Sequence, residues 1–206
     1  MYEKIKQQIV QINTDEISDD RKVVLNELVE YIQQKQAEGN IIQLNFICTH
    51  NSRRSHLTQI WAQTMAHYFN VPHVYCYSGG TEATAMFYKV AETLTEQGFQ
   101  INKKDESTNP IYEVKFDEQE SPIICFSKTF DDPYNPETNF AAIMTCSTAD
   151  EACPYIAGAT KRIPIRYEDP KAFDNTPEME AKYKERSLEI AREMMFVFSN
   201  CRTVEV

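Results

Sequence analysis

Cys48-Thr49-His50-Asn51-Ser52-Arg53-Arg54-Ser55 places five residues between a cysteine and an Arg-Ser pair. In a chain of this composition a C-x5-R-S spacing arises by chance roughly 0.01 times. A loop of that length can wrap a tetrahedral oxyanion with its backbone amides turned inward. Arg54 can then hold two of the anion's oxygens through parallel hydrogen bonds, a fork that lysine cannot supply. The positive field that binds the anion also suits a thiolate nucleophile at Cys48, and the Ser55 hydroxyl is spaced to donate a hydrogen bond to it. Asn51 tolerates the left-handed backbone that a tight cradle needs. The chemistry on offer is attack by Cys48 on the central atom of an oxyanion bound by Thr49, His50, Asn51, Ser52, Arg53 and Arg54.

Such a loop needs an element on each side to hold it. IIQLNFIC (41–48) is short, apolar and rich in β-branched residues, which predicts a buried strand. Residues 52–69 carry Leu57, Ile60, Trp61, Met65 and Phe69 at helical spacing. Cys48 therefore closes a strand and Arg54 opens a helix, where free N–H groups and the positive end of the helix dipole meet an anion. HVYCYSG (73–79) predicts a second strand and 82–97, closed by Gly98, a second helix, so the sheet begins as a parallel βαβ unit. FAAIMTC (140–146) and KRIPIRY (161–167) read as two further core strands, and 178–198 as a long closing helix. IYEVKF (111–116) and PIICFSKTF (122–130) flank an acidic turn and predict a β-hairpin on the sheet, within an insertion at 99–138. Residues 1–40 read as an N-terminal extension of two helices, one starting near Ser18 or Asp19 and stopping at Gly39. The expectation is one α/β domain over 41–206 that carries this extension and this insertion.

Composition narrows the partners. The 206 residues include 31 acidic and 21 basic side chains, a net charge of −10, which argues against broad binding to nucleic acid or an anionic membrane. No stretch approaches the length of an apolar membrane span, and the opening MYEKIKQQIV has no signal-peptide core, so a cytoplasmic protein is expected. In a reducing compartment the six cysteines are expected to be thiols rather than a disulfide framework. With no CxxC pair and no Cys/His cluster at zinc spacing, neither a metal nor another cofactor is expected.

FICTHNSRRS at the end of a first core strand resembles the phosphate loop of the low-molecular-weight protein tyrosine phosphatases and of their relatives, the thioredoxin-coupled arsenate reductases. The resemblance extends from about residue 42 to the closing helix and includes YSGGTE after the second strand, Cys146, Cys153 and the Asp169-Pro170 pair. It implies a flavodoxin-like three-layer fold, with a four-stranded parallel sheet covered by helices on both faces. It also implies Asp169 as the general acid that protonates the leaving oxygen. Cys146 and Cys153, in CSTADEAC, look like the relay of the arsenate reductases. In the implied sequence Cys48 attacks arsenate, Cys146 attacks Cys48 and releases arsenite, and Cys153 attacks Cys146 to leave a disulfide for thioredoxin.

Phosphate and arsenate are nearly isosteric, so the loop by itself does not choose between them. A phosphatase needs no second and third thiol, and this chain lacks the aromatic residues that tyrosine phosphatases place directly after Asp-Pro, having Lys171-Ala172 instead. Arsenate reductase is therefore the leading expectation. A phosphatase for phosphotyrosine or a small phosphoester is the second, and a non-catalytic oxyanion-binding module the third. Asp131-Asp132-Pro133-Tyr134 imitates the acid loop but precedes the Cys146 strand, which leaves Asp132 as the alternative acid. His50 stands where the family has glycine, and Arg53 where it often has cysteine, which would add positive charge near the mouth. Gln59 replaces the potassium-binding glutamate of some relatives, so that ion is not expected.

Overall fold

The segment 41–48 does form a strand, and a computed structural model describing residues 1–153 and 155–201 shows what surrounds it. The extension comprises α1 (Glu3–Gln11) and α2 (Asp19–Ala37). Ser18 caps α2, its hydroxyl accepting from the Arg21 amide, and Gly39 ends it at φ +68°, a left-handed turn that suits glycine. Then follow β1 (Ile42–Cys48), α3 (Arg54–Tyr68), β2 (Val74–Gly80), α4 (Tyr88–Glu96), β3 (Gln100–Lys103), β4 (Tyr112–Lys115) and β5 (Ile123–Cys125). The chain continues through β6 (Phe140–Met144), α5 (Ser147–Ala152), β7 (Ala159–Ile163) and α6 (Met179–Asn200). No helix of the described residues is long and apolar enough to cross a membrane.

Four strands form a parallel sheet in the order β2-β1-β6-β7, the flavodoxin-like arrangement. Every connection is a crossover, so all four carboxyl ends reach the same edge. Leu44, Phe46, Ala141, Ile143 and Ile163 point to one face, where they join side chains of α2, α3 and α6 in the main core. Each large aliphatic or aromatic side chain buried there contributes about 1.5–3 kcal/mol. Ile47, Phe140, Ala142 and Met144 point to the other face, covered by Ala149 of α5, Ile156 and Phe130. The second layer is thus one short helix with extended chain, and the long helices lie together on the first face.

Two of the differences from the sequence reading have a clear reason, while the strand expected over 161–167 is found at Ala159–Ile163. The helix expected over 82–97 begins only at Tyr88, because the amides of Thr81, Glu82, Thr84 and Phe87 are bonded elsewhere: to Cys48 O, Thr49 O, Ser127 Oγ and Ser52 O. The expected hairpin exists as β4–β5, but β3 joins it in a separate three-stranded antiparallel sheet. It does not extend the main sheet. Its downstream end does reach that sheet, where Gly80 and Thr129 form an isolated parallel bridge beside β2.

Candidate active site

Cys48 is the last residue of β1, and its buried sulfur lies 3.1 Å from Ser55 Oγ in the first turn of α3. Asn51 Nδ2 donates to the same hydroxyl at 2.9 Å, which leaves the serine's own hydrogen free for the sulfur. Asn51 adopts φ +44°, the left-handed turn expected of it. Its Oδ1 accepts from the Lys128 amide at 3.0 Å. Among the described hydrogen bonds none is donated by the backbone N–H of His50, Asn51, Ser52 or Arg53. Those donors and the start of α3 form a concave cradle suited to an anion.

The outer carbonyls of the loop are held by its neighbours. Thr81 N, Glu82 N and Phe87 N donate to Cys48 O, Thr49 O and Ser52 O at 3.1, 3.0 and 3.0 Å. Ser127 Oγ donates to His50 O at 2.9 Å. Gly80 permits this closeness: a Cβ there would lie 2.4 Å from Glu82 O and 2.7 Å from both Asn51 N and Thr49 O. The glycine pair in YSGGTE was the sequence signal for this contact. Ser127 and Lys128 gave no such signal, because their docking depends on the path of the insertion.

Arg54 sits beside the cradle. Its Nη1 donates to Tyr167 O at 3.0 Å and its Nη2 to Asp169 Oδ2 at 2.7 Å. Asp169 also caps a short 3-10 turn, its Oδ1 accepting from Lys171 N at 3.0 Å, and its side chain remains one-third exposed. Asp132 spends its carboxylate on the amide of Tyr134 within its own turn. Thus Asp169 touches the loop arginine, whereas the described bonds of Asp132 are local.

Arg53 turns away from the mouth, where the sequence had put its charge. Its Nε donates to Tyr183 Oη at 2.5 Å, its Nη2 to Asp174 Oδ2 at 2.6 Å, and the guanidinium stacks 4.1 Å from the Phe87 ring centroid. A partly buried carboxylate and an aromatic face were available in the long-range packing, and desolvation makes a paired guanidinium preferable to an unpaired one. His50 remains at the rim, half exposed, with Nε2 3.1 Å from Glu82 Oε1. Ser52 and Thr49 contribute backbone to the cradle, and Thr49 Oγ1 lies 3.5 Å from Cys146 Sγ.

Cys146 arrives through strand register. Ile47 pairs with Met144, and Thr145 N donates to Ile47 O at 2.7 Å, so the next residue stands beside the start of the loop. Cys146 is buried at the amino end of α5, its sulfur accepting from Ala149 N at 3.4 Å. Cys153 caps the other end and is partly exposed. All six cysteines are free thiols. Burial pushes Cys125 and Cys201 up to about 12 and raises Cys76 as well, so those three are poor nucleophiles.

Behind the loop, His56 is fully buried with Nδ1 3.3 Å from Ser78 Oγ. Burial, reinforced by the Lys128 charge, lowers its pKa to about 3. The buried Lys128 ammonium stacks 4.5 Å from the Phe126 ring centroid, and burial lowers its pKa to about 8. Among the described residues no group of three or more His, Cys, Asp or Glu gathers where it could hold a metal.

The architecture and loop together define an α/β protein with a buried cysteine and a concave run of backbone amides at the carboxyl edge of its sheet. Neither a protein-family profile nor a curated protein matches the sequence. Solved structures do. The chain is similar to a low-molecular-weight phosphotyrosine phosphatase from Vibrio cholerae, with a TM-score of 0.52 and 12% identity over 77% of this chain and 94% of that one. A mutant of YwlE from Bacillus subtilis gives 0.53 and 12% over 79% and 99%. The YwlE arginine phosphatase from Geobacillus stearothermophilus gives 0.50 and 14% over 77% and 91%. The fold is that of the low-molecular-weight phosphotyrosine phosphatases.

Proposed function

We propose that the protein is an enzyme of oxyanion chemistry in which Cys48 is the nucleophile and Cys146 the resolving thiol, acting as an arsenate reductase. The observation that carries this reading is the placement of Cys146 against Thr49, the residue after the nucleophile, at 3.5 Å. Cys48 thiolate bonds to arsenic and displaces one oxygen as water. Cys146 thiolate then attacks the Cys48 sulfur, forming a Cys48–Cys146 disulfide while arsenic(V) leaves as arsenite, reduced by two electrons. Cys153 thiolate attacks the Cys146 sulfur next, returning Cys48 as thiolate and leaving a Cys146–Cys153 disulfide. An external dithiol of the thioredoxin type then takes up the oxidation. Arg54 and the loop amides bind the anion, and Asp169 donates the proton to the departing oxygen.

The attack of Cys153 on Cys146 requires movement. Residues seven apart in a helix are separated by roughly 10 Å along its axis, whereas a disulfide needs Cα atoms about 4.4–6.8 Å apart. Helix α5 must therefore unwind for Cys153 to reach Cys146, and its six residues make it the shortest α-helix among the described residues.

A second reading, hydrolysis of a phosphoester through a Cys48 phosphoenzyme, is favoured by the Arg54–Asp169 contact and by the phosphatases among the similar structures. Arsenate reduction coupled to a thioredoxin system, beside hydrolysis of p-nitrophenyl phosphate, separates the two in the wild type, Cys48→Ser and Cys146→Ser. Loss of arsenate turnover in both variants, with hydrolysis lost only in Cys48→Ser, supports the reductase. Vigorous hydrolysis without arsenate turnover in the wild type identifies the phosphatase. Phosphate binding with neither activity identifies a binding module.

A further inference from the structure

A cavity of about 550 Å³ lies away from Cys48, between the N-terminal extension, the end of α4 and the exposed side of α6. Its cations are Lys4, Lys184 and Arg192, and its carboxylates are Glu16 and Glu96. Arg192 Nη2 is paired with Glu16 Oε2 at 2.6 Å, while Lys4 and Lys184 enter no ion pair among the described residues. Amide side chains of α1 complete one wall.

The most buried residue lining the cavity is Gln97, only 2% exposed. Its Oε1 accepts from Ser187 Oγ at 2.6 Å, and its Nε2 has no partner among the described residues. Arg192 Nε, in the same cavity, is likewise buried and without one. A buried donor without an acceptor costs about 1–3 kcal/mol, so two in one cavity mark a place for acceptor oxygens. With two exposed ammonium groups at the rim, the cavity has a surplus of positive charge in a chain of net charge −10. We propose that this cavity is a second binding site, for a small anion whose carboxylate or phosphate oxygens accept from Gln97 and Arg192 while Lys4 and Lys184 balance its charge.

The fold supplies a reporter. Trp61, the single tryptophan, donates from Nε1 to Ser187 Oγ at 2.9 Å, and Ser187 in turn donates to Gln97. An acceptor taken by Gln97 Nε2 therefore binds a side chain two hydrogen bonds from the indole, through Ser187. The test follows the Trp61 indole N–H resonance while citrate, for the carboxylate arm, or inorganic phosphate is titrated into three proteins. These are the wild type, Arg54→Ala, whose catalytic loop lacks its guanidinium, and the Lys4→Ala/Lys184→Ala double variant, altered at two exposed positions. The expected result is a saturable shift with at least one anion that persists in Arg54→Ala and is weakened about tenfold or more in the double variant. No saturable shift with either anion overturns the proposal. So does a shift lost in Arg54→Ala, which places the anion in the catalytic loop, or one unchanged in the double variant. The readout is independent of arsenate or phosphoester turnover.

Discussion

Arg54 Nη2 and Asp169 Oδ2 lie 2.7 Å apart, joining the loop that would bind the anion to the turn that would deliver the proton. The pair links the start of α3 to the segment after β7, elements 115 residues apart in the chain. If Asp169 is the acid, Asp169→Asn keeps the contact but removes the proton. Hydrolysis of a phosphoester with a poor leaving group is expected to slow by about 10²–10⁴-fold, with inorganic phosphate affinity little changed. Equal rates in the variant would sink the assignment, and loss in Asp132→Asn instead would transfer it.

Ser55 connects Asn51 to Cys48. Ser55→Ala removes the hydroxyl 3.1 Å from Cys48, and the alkylation rate of Cys48 by iodoacetamide at neutral pH is expected to fall by about tenfold, one charge-assisted hydrogen bond's worth. Peptide mass mapping reads it directly. An unchanged rate means that the hydroxyl does not support the thiolate.

Gly80→Ala pushes a methyl into the backbone of the loop, where nothing flexible can yield. The expected cost is about 1–3 kcal/mol of stability together with weaker phosphate binding, since the added carbon meets Asn51 N and Thr49 O directly. A variant with wild-type urea midpoint and affinity would show that the two strands are not packed this closely.

Arg53→Met separates the two roles available to that arginine. Because its partners are Asp174, Tyr183 and the Phe87 ring, the change is expected to destabilise the protein by about 3–5 kcal/mol, as when one member of a buried ion pair is removed. Whatever remains folded should bind phosphate with near wild-type affinity. A large affinity loss at intact stability would place its charge at the mouth after all.

His56 predicts a pH effect. Its folded pKa, about 3, lies below the ordinary value of 6.5, so between those limits the unfolded chain takes up a proton that the folded one refuses. Its contribution to stability is intact above pH 6.5 and is lost as pH falls toward about 3. His56→Gln removes the titration, so urea midpoints measured between pH 7 and 4 should decline less steeply than in the wild type. Parallel declines would show that the ring is not held neutral.

Periodicity and turn chemistry made much of the fold legible in advance. Residues such as Leu44, Phe46, Leu57 and Trp61 carry their burial in local spacing, and Ser18 and Gly39 mark the limits of α2 through capping that depends on immediate neighbours. The late start of α4 was not legible, since the amides of Thr81, Glu82 and Phe87 are taken by carbonyls more than thirty positions earlier in the chain. The same holds for β3, a strand whose pairing with β4 makes it one.

The sequence by itself determined the cradle: a cysteine, five residues, an arginine and a serine between strand and helix, with Asn51 able to turn left-handed. Those are short-range properties, set by covalent spacing and backbone preference. Only the tertiary structure decided that Arg53 faces Asp174 while Arg54 faces Asp169, that Lys128 and Ser127 brace the loop, and that Cys146 stands against Thr49. Each of these joins elements that meet only when the parallel sheet has assembled and its strand register is fixed.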